Sequence, residues 1–153
     1  MSSQTGERGL SEMRRRDILC GGIAATLSLT VGYAGVEAGQ SASRDDRIRT
    51  LARRIEQAAT ALGESASHER LAAQYKVTLR VVLELHDQKL DSGEVAVVLA
   101  LAELGATSSD VVLGWWASDR LSWSQIADRL RVESRRLLQR LEEVRQALAR
   151  PAR

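Results

Sequence analysis

Phenylalanine is absent from this sequence, proline occurs once, at Pro151, and cysteine once, at Cys20. Each scarcity excludes something. With no proline before Pro151, nothing removes a helical N–H or clashes with the preceding turn, so an all-α fold is favoured before any pattern is read. One cysteine cannot close a disulfide within the chain or supply a multi-thiolate zinc site. No sign of charge dominates either. The 22 Lys and Arg are set against 20 Asp and Glu, a formal net charge of +2, so no global field draws the chain to nucleic acid. What is present is an ordinary globular composition, with 153 residues at 44% hydrophobic and 27% charged, enough for one domain.

The first pattern lies near the N-terminus. Residues 1–13 are polar, Arg14, Arg15 and Arg16 follow, and residues 18–36 carry no charge. A positive stretch leading into an apolar, Gly- and Ala-containing run is the layout of an export signal. Arg15-Arg16-Asp17-Ile18-Leu19 resembles the twin-arginine (Tat) consensus, with Arg14, Ile18 and Cys20 where Ser or Thr, Phe and Lys are usual. Val36-Glu37-Ala38 offers small residues at the positions a signal peptidase reads, which places cleavage after Ala38 and divides the chain into a signal, 1–38, and a helical domain, 39–153. Cleavage there would remove Cys20, and with it any thiol chemistry. The competing reading is an uncleaved inner-membrane anchor over 18–38, since about 20 apolar residues cross a bilayer. Gly21, Gly22, Gly32 and Gly35 weaken that reading, each costing a helix about 1 kcal/mol relative to Ala.

Beyond a short polar linker at 39–42, helical periodicity begins. Ile48, Leu51, Ile55 and Leu62 hold one face of a helix over 44–62, which Gly63 stops and Ser43 with Asp46 would cap. Further on, residues 81–101 align with 112–132. Leu90 then meets Leu121, Val95 meets Ile126 and Ala96 meets Ala127. Asp91 with Glu94 and Ser122 with Gln125 are capping boxes, while Leu90 and Leu121 staple onto Val95 and Ile126. A half-motif of apolar, Ala, two variable, apolar, variable, apolar recurs from Leu71, Val95 and Ile126. The expected fold is an all-α small bundle of about six helices with two repeated helix-turn-helix-like units. The expected helices are 44–62, 68–75, 79–88, 92–104, 109–119 and 123–149, the last broken near Val132.

Gly93-Glu94-Val95-Ala96 and Trp123-Ser124-Gln125-Ile126-Ala127, with Lys76-Val77 and Val81-Val82 upstream, resemble small exported bacterial helical-repeat proteins of unassigned function that carry a Gly-Trp-Gly-Glu-Ile-Ala-like repeat. The resemblance covers about 71–141. It departs in lacking full glycine-flanked spacing. It implies an exported helical domain and supplies no activity.

Candidate chemistry is thin. His68 and His86 are the only imidazoles, they fall in different helices without the four-residue spacing of a helical metal site, and surface positions are expected for both. Asp91 and Glu94 are committed to capping. No catalytic residue, metal ligand or cofactor is expected. Trp115 and Trp123 are candidates for a partner surface, because tryptophan is enriched at interface hot spots, whereas Trp116 aligns with Leu85 and should be core. Ile126-Ala127 to Val132 followed by Arg135, Arg136 and Arg140 also has the outline of a DNA-binding helix-turn-helix. Export argues against nucleic acid as the partner. The expected partners are the Tat translocation machinery, then an unknown protein or envelope component, with the membrane at the N-terminus and a second copy of the chain as further candidates. The terminal stripes, Ile48 to Leu62 and Leu137, Leu141, Val144 and Leu148, should pack together or serve that second copy.

The export reading has a direct test. Replacing Arg15 and Arg16 together by Lys is expected to leave full-length precursor in the cytoplasm with its domain folded, measured by fractionation and intact mass. Unchanged export of the double variant would remove the Tat assignment.

Overall fold

A computed structural model of the protein describes residues 34–150, with side-chain surroundings from residue 42 onward. Arg15, Arg16, Ile18 and Leu19 lie outside the described residues. The described residues form seven α-helices and no strand: α1 (Ala34–Leu62), α2 (Glu64–Tyr75), α3 (Leu79–Asp87), α4 (Ser92–Leu104), α5 (Ser109–Ala117), α6 (Trp123–Arg129) and α7 (Ser134–Ala149). The break near Val132 is complete, so the sixth expected helix is two. None of these helices is long and apolar enough to cross a membrane.

The first helix differs from expectation at its start. It is already helical at Ala34, the first described residue, and runs through Ala38 and the 39–42 segment, so Ser43 lies inside a helix and caps nothing. The physical reason is that Gly35 and Gly39 are the only poor helix formers between Ala34 and Ser43, and no proline stops the chain. Asp45, not Asp46, is the carboxylate put to use. It is buried and accepts from the Ser124 backbone N–H at 3.2 Å and from Arg49 Nε at 2.6 Å.

Helix α4 lies at the centre. Residues 95–101 are all buried, so this helix is apolar all round and needs cover on every side. Helices α1, α2, α3, α5, α6 and α7 all pack on it. The approach of α4 to α1 is close enough that a Cβ on Gly93 would collide with the backbone carbonyl of Ala52. Helix α7 closes the other side of α1 through Leu137, Leu141, Val144 and Leu148, all buried, opposite Ile48, Leu51 and Ile55. The two terminal stripes thus cover each other within one chain.

Both expected capping boxes are formed. Asp91 accepts from Glu94 N at 2.7 Å while Glu94 receives Asp91 N, and Ser122 and Gln125 make the same reciprocal pair. Lys89 and Arg120, which precede the two staple leucines, both sit in the left-handed region, at φ 69° and 54°. Leu90 is buried and Leu121 half-buried.

The repeat goes further than the sequence alignment. Helices α2, α4 and α6 all end in the same turn, with Lys76, Ala106 and Arg131 left-handed at φ 52°, 49° and 56°. The next residue then donates back: Val77 N to Ala72 O at 3.0 Å, Thr107 N to Ala102 O at 3.0 Å and Val132 N to Ala127 O at 2.8 Å. These are Schellman turns. Each is preceded by a buried apolar–Ala pair, Leu71-Ala72, Leu101-Ala102 and Ile126-Ala127, and followed ten residues after the alanine by a buried Val82, Val112 or Leu137. The structural counterpart of the half-motif in the middle unit therefore starts at Leu101, with Gly105 and Thr107 in place of its last two apolar residues, and not at Val95. Helix α4 has 13 residues and α6 has 7, so an alignment anchored on the shared capping boxes misplaces the turn by the difference. Three helix-turn-helix units result: α2–α3, α4–α5 and α6–α7.

Gly93→Ala is the sharpest test of this packing. Adding one methyl against the Ala52 backbone should cost about 1–3 kcal/mol or more, read by chemical denaturation. A Gly93→Ala protein as stable as the parent would show that α1 and α4 do not approach as described.

Candidate functional site

Of the two tryptophans expected at a partner surface, Trp123 is only 3% exposed. Its place at the first position of α6, fixed by the Ser122 cap, stacks it on Trp116 with ring centroids 5.3 Å apart and planes 7° apart. The expectation fails for Trp123 because cap geometry turns the ring inward under α1. Trp115 is half-buried, and its ring carries the Arg129 guanidinium 4.5 Å from its centroid. Trp116 and Trp123 border a cleft of about 510 Å³ with Arg49, Arg53, Asp91 and Glu94. Burial raises the pKa of Glu94 there, and the negative charges of Asp91 and Glu56 add to it, against the lowering hydrogen bond from the Asp91 backbone and the charge of Arg49.

The three arginines expected to contact DNA are also divided. Arg135 and Arg136 are exposed on the first turn of α7. Arg140 is structural. Its guanidinium binds Glu103 through Nε at 2.7 Å, donates to the Gln74 carbonyl at 2.7 Å and lies 4.9 Å from the Tyr75 ring centroid. Burial works against its charge, but the Glu103 hydrogen bond and charge outweigh it and hold the pKa above its ordinary value. Tyr75 is itself buried, donates to Ala96 O at 2.8 Å, and has its pKa pushed well up by that burial.

The largest departure from the sequence reading concerns the histidines. His68, expected at the surface, is 6% exposed, and its ring lies 4.2 Å from that of His86, centroid to centroid, at an interplanar angle of 39°. Helix α2 supplies one ring and α3 the other, across the first helix-turn-helix unit. His86 Nε2 is buried without a hydrogen-bond partner. The pair lines a cavity of about 320 Å³ with Glu56, Glu64 and Asp91. Burial lowers the pKa of His68 first and the neighbouring imidazole second, against smaller raising effects from Glu64 and Glu56. Among the described residues, no three His, Cys, Asp or Glu side chains are grouped to hold a metal ion. Sequence spacing could not show this contact, since 18 residues and a turn separate the two rings; only recognising 71–82 as a helix-turn-helix unit would have folded α3 back on α2.

A second feature is an apolar outer surface. Leu79 and Leu83, four residues apart on α3, are 41% and 43% exposed, and Val111 on α5 is 41% exposed. Four-residue spacing puts the two leucines on one helix face. A cleft of about 290 Å³ between α3 and α5 is floored by Val81, Leu85 and Leu113 and edged by Glu84 and Asp110. Comparison with family models, with curated proteins and with solved structures finds no match to the chain.

The division among the arginines is measurable. Arg140→Ala leaves the Gln74 carbonyl and Glu103 without their partner and should destabilise the domain by about 1–3 kcal/mol. Arg135→Ala and Arg136→Ala should each stay within about 0.5 kcal/mol. Equal midpoints for all three in denaturant titrations would overturn the structural role of Arg140.

Proposed function

We propose that this chain is an exported, non-enzymatic binding module that is delivered by the Tat machinery and holds a protein partner outside the cytoplasmic membrane. Its N-terminal segment with Arg15 and Arg16 supports the export half. The observation that carries the binding half is the character of the second helix in the first two units. In a helix-turn-helix this helix meets the ligand. Here α3 presents Leu79 and Leu83 beside Asp87 and an Arg80–Glu84 ion pair that cancels its own charge, and α5 presents Val111 beside Asp110. Apolar side chains offer phosphate no donor and unpaired carboxylates repel it, whereas exposed apolar clusters rimmed by charge mark protein interaction surfaces.

The third unit favours a second reading. Arg131, Arg135 and Arg136 are exposed at the turn and the start of α7, where phosphate or a guanine edge could be met. Glu133 lies among them. A chain retained in the cytoplasm or tethered to the membrane would use this unit on DNA.

The two readings separate on paired variants. A photo-cross-linker at residue 83 is expected to give one discrete adduct in the envelope fraction, lost in Leu79→Asp and kept in the Arg135→Glu, Arg136→Glu double variant. Salt-dependent binding of duplex DNA that vanishes in the arginine variant, with no adduct at residue 83, would replace the protein partner by nucleic acid.

A further inference from the structure

The cavity between α2 and α3 holds two imidazoles in contact, and neither ring has a hydrogen-bonded counter-ion. We propose that the His68–His86 contact is an acid-sensitive latch: neutral, the rings pack and hold α3 against α2; protonated, they repel and release α3. This inference stands apart from the identity of any partner.

The geometry supplies the argument. The ring centroids are 4.2 Å apart, so two imidazolium charges would face each other with no room for water between them. His86 Nε2 is buried and has no hydrogen-bond partner among the described residues. The groups facing the pair are Glu56 from α1, Glu64 from α2 and Asp91 at the start of α4. Two of these carboxylates are already committed. Glu56 accepts from Ser92 N at 2.7 Å and from Thr60 Oγ1 at 3.1 Å, and Asp91 accepts from Glu94 N at 2.7 Å. Turning either towards an imidazolium would strip the start of α4. Glu64 is exposed on the first turn of α2 and is shared with solvent.

The direction with pH follows. Burial lowers the pKa of His68 below its ordinary value of 6.5, so the released state binds the proton more tightly than the latched one. The latched state is therefore fully favoured above the ordinary value and is lost as pH falls below it. One proton taken up on release shifts the equilibrium by up to about tenfold per pH unit.

The test is hydrogen exchange on the full chain, corrected for the intrinsic rate, between about pH 7.5 and about pH 5.5, a range that brackets histidine ionisation. Protection of α3 amides is expected to fall by up to about tenfold, while α7 amides lose much less. The His68→Phe, His86→Phe double variant, which fills the space without ionising, should keep α3 protection constant. Should the double variant fail to fold, His86→Gln serves in its place and should reduce the pH dependence. Imidazole resonances of the parent protein give an independent readout, in which His68 should titrate below 6.5. Equal loss of protection in α3 and α7, an unshifted His68 midpoint with constant α3 protection, or an unchanged pH dependence in the variants would each overturn the latch.

Discussion

The approach of α1 to α4 at Ala52 and Gly93 is the contact on which the rest of the structure depends. A helix buried all round has no solvated face, so every apolar side chain of α4 must be met by another element, while its interior carbonyls bond within the helix. At Gly93 the missing side chain lets the two backbones meet. The same helix face then delivers two carboxylates at fixed spacings from Ala52. Glu56 satisfies the first N–H of α4, and Asp45 satisfies an N–H in the first turn of α6. Free N–H groups at a helix start carry partial positive charge, so a carboxylate there both completes the hydrogen bonding and answers the dipole. One stripe of α1 thus seats the central helix and fixes where two units begin.

Closure by α7 is the complement of that arrangement. Leu137, Leu141, Val144 and Leu148 are fully buried, and burying such side chains contributes about 1.5–3 kcal/mol each relative to exposure. Arginines fasten the ends. Arg70 on α2 donates to the carbonyls of Ala147 at 3.0 Å, Leu148 at 3.3 Å and Arg150, covering the last turn of α7 where acceptors are otherwise unmet. Arg44 pairs both guanidinium nitrogens with Asp128, at 2.9 and 3.1 Å, across α1 and α6. That pair is exposed and weak as a source of stability, but its bidentate form fixes orientation.

How much of this was legible in the sequence depended on the range of the interaction. The capping boxes at Asp91 and Ser122 were readable because each closes within four residues. The all-α fold and the mutual cover of the terminal stripes were readable because periodicity specifies faces. Ser43 misled, since a good cap sequence is silent where the helix does not need to begin. The middle turn was misplaced because the longer α4 slides it away from the capping box. Trp123 and His68 depart from expectation for one reason: burial of a single residue is set by what folds over it, and neither α1 over Trp123 nor α3 over His68 leaves a local signal. Arg140 stands in a basic run whose pattern suggests a DNA contact, yet Glu103 and Gln74, from two other helices, hold it.

The three units share one turn and differ in what they show to solvent. Lys76, Ala106 and Arg131 are all exposed, so the strained residue of each turn leaves the interior undisturbed and the identity of its side chain is free. A non-glycine residue in the left-handed region costs about 1–2 kcal/mol, which the buried apolar–Ala pair before each turn and the buried apolar residue after it offset. The buried positions are correspondingly uniform, an apolar–Ala pair before the turn and an apolar residue after it. The outer faces are not uniform: apolar on α3, apolar and acidic on α5, basic at the start of α7. Packing constrains only the inner set, so the outer set is separable from the fold, and what each unit binds must be argued from its own surface. By that argument the basic start of α7 and the leucine face of α3 are independent surfaces on one scaffold, and a change to one should leave the fold and the other surface intact.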